Sequence, residues 1–202
     1  MSTKSLWSLI DSRLLEWGLG LALLLAGLFG VLFPILGATG PFDPMDTREV
    51  WIEGTTRVPD ATTGGAVTLN GNHQAEVVIA DPNLRQRLLL ALPRITTSLL
   101  VILILVLLLR MARTLRGGDV FAPENARRLN IIGMTVLVLG CFGPPMEAFT
   151  TQLLVSGTPV AERVGFSLTV SAAPVLVAFL ILALGEVFRR GAKLRADTEG
   201  LV

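Results

Sequence analysis

The chain has 202 residues, 51% of them hydrophobic and 16% charged, with a mean hydropathy of +0.65. A soluble domain of this length is nearer a quarter charged, and the apolar residues fall into four blocks, each close to the ~20 residues that cross a bilayer core as helix. A net charge of +1 gives no field to gather nucleic acid. The single cysteine, Cys141, excludes an internal disulfide framework and the usual zinc spacings.

Residues 1–16 read as an interfacial amphipathic lead-in. Leu6, Ile10, Leu14 and Trp17 recur at helical spacing, while Ser8, Asp11, Ser12 and Glu16 lie largely on other faces. Trp7 and Trp17 suit a headgroup boundary. The first span covers 17–38; its apolar core exceeds that of a signal peptide and no A-x-A site follows, which predicts a retained helix. Gly18, Ala22, Ala26 and Gly30 recur every fourth residue, a spacing that lets helix backbones approach closely. Packing within the chain is the expected use, with a homodimer seam as the alternative.

Residues 39–86 form a segment too long for a mere connector. Val50 and Ile52, then Val67 and Leu69, then Ala75, Val77 and Ile79 alternate with polar neighbours and predict three short strands. A three-residue loop from Asn70 to Asn72 would pair Val67 with Ala75 on one apolar face and leave His73 in or beside the loop. That face is too small to stand alone, so the sheet should rest on helix ends or on a partner.

The second span covers 87–112, with Pro93 in its first turns. A basic loop, 113–127, leads to the third span, 128–149, where Gly143-Pro144-Pro145 predicts a kink and Cys141 reads as a small buried hydrophobe. A loop at 150–163 precedes the fourth span, 164–188, in which Pro174 should free a carbonyl near mid-membrane. A tail, 189–202, follows. The expected architecture is therefore all-α and transmembrane, a four-helix membrane bundle with a small β-rich extracytoplasmic insertion between the first two spans.

Basic residues set the orientation. Arg110, Arg113, Arg116, Arg127 and Arg128 cluster around the short loop, and Arg189, Arg190, Lys193 and Arg195 follow the fourth block. Positive-inside then puts that loop and both termini in the cytoplasm of a bacterial inner membrane, facing anionic headgroups. Charges within spans are few. Arg94 and Glu147 sit at similar depth near the outer ends of the second and third spans and form a candidate ion pair, unless Arg94 snorkels independently. Glu186 lies at the inner end of the fourth.

No H-E-x-x-H, G-x-S-x-G or Walker sequence is present. The expectation is a non-enzyme with no catalytic residues, cofactor or metal. There is also no internal repeat of the kind that builds many transporters.

The loop stretch G-G-D-V-F-A-P-E-N-A-R-R-L at 117–129 resembles the G-D-x-F-x-x-x-N-x-R-x-L stretch of a bacterial membrane family filed as domain of unknown function 2975. The tail from Glu186, with its basic G-x-x-L-[RK] turn and acidic, apolar finish, is similar to the tail of that family. The resemblance marks Gly118, Asp119, Phe121, Asn125, Arg127 and Leu129, then Glu186, Gly191, Leu194 and Val202. With Arg128, these give the candidate interaction residues. The resemblance implies an integral membrane protein of no established activity, with members encoded beside small helix-turn-helix regulators.

The expected role is a signalling, scaffold or regulatory protein restraining a cytoplasmic regulator; the alternative is a transport or permeability component acting as an oligomer. Expected partners are anionic lipid headgroups, a cytoplasmic regulatory protein and further copies of the chain, without direct contact to nucleic acid. The loop from Arg116 to Arg128 should lie against the tail from Glu186 to Arg195, with Asn125 capping or bridging backbone and Glu186 meeting a loop arginine.

Overall fold

A computed structural model describes residues 4–40, 46–52, 73–79, 81–117, 121–158, 161, 164, 166, 168 and 170–199. The lead-in and the first apolar block form one rod: α1 (Lys4–Gly27), a π-helical turn (Leu28–Leu32) and α2 (Phe33–Thr39). Pro34 explains the wide turn. Its ring would strike the carbonyl four residues back, and the widened backbone just before it avoids that, with the Phe33 N–H donating to the Leu28 carbonyl. Gly40 ends the rod in the left-handed region, φ 107°, its N–H donating to the Leu36 carbonyl.

Strands β1 (Thr47–Ile52) and β2 (His73–Val78) pair antiparallel, with Arg48 opposite Val77 and Val50 opposite Ala75. The first and third predicted strands are thus partners of each other. Val67, Leu69 and the loop from Asn70 to Asn72 lie outside the described residues. His73 opens β2, opposite Ile52. Val50 is buried against Val155 and Val164, with Val77 and Ala161 beside it, so the sheet rests on a helix end as its small apolar face requires.

Helix α3 (Leu84–Arg116) starts before its apolar block because Asn83 and Gln86 form a capping box. The Asn83 side chain accepts from the Gln86 N–H at 3.0 Å, and the Gln86 side chain accepts from the Asn83 N–H at 2.9 Å. Helix α4 (Pro123–Val155) continues through Gly143-Pro144-Pro145 and beyond the predicted boundary at 149. Cys141 is exposed on its flank rather than buried.

The fourth block departs furthest from expectation. Helix α5 (Ala173–Glu199) begins nine residues late, and the described residues between 164 and 172 are not helical. Pro174 is therefore the second residue of a helix, where its missing N–H matters little, and not a mid-span proline.

Each helix packs on its predecessor: α1 on α3, α3 on α4, α4 on α5. Among the described residues the outermost two, α1 and α5, share no substantial packing. Small residues set the seams, as close approach in lipid requires. A Cβ at Gly133 would come within 2.8 Å of Leu182, and one at Gly140 within 2.6 Å of Pro174. Gly185 abuts Asn130, and Ala178 has no exposed surface. Along the first rod, Gly30 of the π-helical turn abuts Ser98 of α3 while Gly18 faces open space, so of the two stripe glycines only Gly30 serves packing within the chain. Leu107, Met111, Leu129 and Ile132 form the core between α3 and α4, joined by Ile181 and Phe188 of α5.

Three helical stretches, Arg13–Thr39, Leu84–Arg116 and Pro123–Val155, are long and apolar enough to cross a bilayer. The chain is a multi-pass membrane protein. The outward leucines and aromatics, such as Leu180 at 70% exposure, are what a lipid solvent demands.

Candidate functional site

The alternating helices give the molecule a basic end, where α3 stops and α4 starts, and a sheet end. At the basic end Pro123 occupies the first turn of α4 and Ala122 provides no side-chain cap. The Asn125 N–H donates to the Ala122 carbonyl at 2.9 Å, and the Asn125 side chain is fully buried. A buried amide must be satisfied. Arg128 does this in part: its Nη1 donates to Asn125 Oδ1 at 2.8 Å, to Thr114 Oγ1 at 2.7 Å and to the Arg110 carbonyl at 3.2 Å. Asn125 is thus linked to the end of α3 through Arg128, which makes the backbone contact itself.

Phe121 fastens the same loop to α5. Its ring packs on Phe188, centroids 5.6 Å apart and tilted by 48°. It also lies over Gly191, where a Cβ would come 2.5 Å from the ring. Gly191 is thus explained by close approach, and the predicted meeting of loop and tail is present. Glu186 does not meet a loop arginine. It pairs with Arg189 at 2.7 Å and Arg190 at 2.9 Å on its own helix, because α5 continues past Phe188 and brings both within one turn. Arg127 is exposed, and Gly118 and Asp119 lie outside the described residues. A further pair, Glu16 with Arg116 at 3.2 Å, ties α1 to the end of α3. Between the start of α4 and the end of α5 lies a groove of about 440 Å³, flanked by Phe121, Pro123 and Ala126 on one side and Arg189, Lys193 and Arg195 on the other.

The sheet end holds a residue that sequence reasoning passed over. Arg48 shares a strand face with Val50 and reaches into the cleft between α3 and α4. Its guanidinium donates to Thr150 Oγ1 at 2.8 Å and Thr151 Oγ1 at 3.2 Å, and to the carbonyls of Leu89 at 3.3 Å and Leu90 at 3.2 Å. Pro93 has no N–H to give the Leu89 carbonyl four residues back, and Arg48 replaces it. Burial lowers the pKa of Arg48, with the charge of Glu147 acting in the opposite direction. Arg94 and Glu147 do not pair: the ion pairs among the described residues are those of Glu16 and Glu186, and both Arg94 and Glu147 are exposed or half-exposed without one. The cation placed near Glu147 comes instead from the sheet, as Arg48.

Among the described residues no three His, Cys, Asp or Glu side chains gather as a metal site would require. A family model described as protein of unknown function (DUF2975) matches residues 58–202, which include β2, α3, α4 and α5. No curated protein and no solved structure matches.

Proposed function

The chain belongs to the DUF2975 family, and from that premise we propose that it is a four-span inner-membrane protein of signalling, scaffold or regulatory type. Its working surface is the basic end, facing the cytoplasm, where it restrains a soluble regulator. One observation carries the reading: Phe121 on Gly191, with Arg128 on Asn125 and Thr114, locks the α3–α4 connection and the end of α5 into a single preformed surface. Arg190, Leu194 and Asp197 recur at i, i+4 and i+7 on α5 beyond its apolar run, and all are exposed. Leu194, 67% exposed past a cluster of cations, offers an apolar anchor for a protein rather than for lipid.

The positions of the basic residues support the orientation. The apolar stretch of α5 before Arg189 supports the fourth span. No enzymatic role is proposed. The transport reading draws on one feature: α5 starts beside Gly140, partway along α4, as the broken helices of transporters do.

Two measurements test the proposal. Reporter fusions at residue 60 and after residue 202 should report opposite sides of the membrane, the second cytoplasmic; the same side for both removes the four-span topology. A photo-crosslinker at position 194 in native membranes should give a discrete protein adduct, and one at the lipid-facing position 180 should not. A folded protein without an adduct at 194 refutes the docking surface and leaves transport as the better reading.

A further inference from the structure

The groove at the basic end has a composition that the docking face of α5 lacks. One side is apolar, from Phe121, Pro123 and Ala126; the other presents Arg189, which is paired with Glu186 at 2.7 Å, with Lys193 and Arg195, and among the described residues no carboxylate is part of the lining itself. Arg189 directly follows Phe188, the last residue of the apolar run of α5, so the groove opens where that helix passes from apolar to polar. The phosphate of a phospholipid sits at that level. Helix α4 starts at the groove with Pro123 and carries Glu124 in its first turn, outside the lining, so the cations of α5 rather than the helix start would hold an anion. From these features together we infer that the groove holds the headgroup of an anionic phospholipid, the phosphate against Lys193 and Arg195 and the glycerol against Phe121 and Pro123. At about 440 Å³ it has room for a headgroup with its glycerol, well beyond a lone inorganic phosphate.

The inference goes beyond the docking of a regulator, because Arg190, Leu194 and Asp197 occupy another face of α5 and do not line the groove. Lipid would fasten the end of α5 to the membrane and leave that other face outward. Each Lys or Arg near an anionic membrane surface changes affinity about five-fold.

The test uses the full chain purified in detergent, with native mass spectrometry counting retained phosphatidylglycerol against phosphatidylcholine. Wild type is expected to retain phosphatidylglycerol selectively, and Lys193→Gln with Arg195→Gln to weaken retention roughly 25-fold. Ala196→Phe, or Ala192→Leu if the first fails to fold, fills the groove with every charge kept and should produce a comparable loss. Arg190→Gln, on the other face, should change retention by less than about two-fold. Equal losses for the Arg190 variant and a single groove cation variant would refute a built site in favour of diffuse attraction. Competition by millimolar inorganic phosphate would reassign the groove to free phosphate. Unchanged retention in the groove-filling variant, folded as judged by helicity, would also overturn the inference. Crosslinking at position 194 is read separately, so either reading can fail alone.

Discussion

Replacing Arg48 by Met keeps the apolar stem and removes the guanidinium. The four acceptors it leaves behind are not equally served. Thr150 and Thr151 each also donate to the Glu147 carbonyl, at 3.0 and 2.8 Å, so their hydroxyls stay partnered. The Leu90 carbonyl faces the Arg94 N–H in the regular helical pattern. The Leu89 carbonyl has no such replacement, because residue 93 is proline. Losing a charged hydrogen bond costs about 1.5–3 kcal/mol, and Arg48 is only part-buried, so ~2 kcal/mol is expected, near the low end of that range. Pro93→Ala supplies the missing N–H. In that background Arg48→Met should cost only ~1 kcal/mol, a coupling of about 1 kcal/mol between residues that do not adjoin in sequence. The assay is SDS titration from dodecylmaltoside micelles, with helix loss followed by circular dichroism on all four proteins of the cycle. Equal costs for Arg48→Met with Pro93 present and with Pro93→Ala would show that the arginine does not serve the proline-freed carbonyl.

At the α4–α5 seam, Gly140→Leu should destabilise by several kcal/mol in the same titration, because the new side chain meets Pro174, whereas Gly18→Leu should change stability by less than about 0.5 kcal/mol. Similar effects at the two positions would contradict the packing described. Charge reversal at Arg94 and Glu147 is expected to be additive: the double variant should fold no better than the worse single, and recovery of yield would reveal a pair that the structure lacks. Asn125→Leu should cost about 1–3 kcal/mol by removing the partner of Arg128 at a buried position; a wild-type melting point would dismiss the Arg128 network as a structural element.

How far the sequence can be read depends on which property each element displays. Helices α3 and α4 are visible because apolar runs bounded by arginines have few alternatives in lipid. The meeting of Phe121 with Gly191 is accessible through motif resemblance and the shared end of the spans. The late start of α5 is also written in the residues. Val164, Phe166, Leu168 and Val170 alternate with Gly165, Ser167, Thr169 and Ser171, the period of extended chain. Hydropathy averaged over a window hides that alternation. The Arg94–Glu147 pairing fails because depth along a helix says nothing about the direction in which a side chain points. Arg48 carries its own signal, since it falls on the inward register of a strand whose other residues there are apolar, and inward cations on such strands need several acceptors.

The packing order of the helices also bears on how the protein is made. With α1 seated on α3, α3 on α4 and α4 on α5, each new helix finds its neighbour already synthesised. Assembly can follow the order of synthesis, without an early helix waiting exposed for a distant partner. Arg48 is the exception, because its threonine acceptors lie 102 and 103 residues downstream. The sheet is therefore synthesised well before its anchorage exists, and the contact that secures it closes only once the far end of α4 arrives.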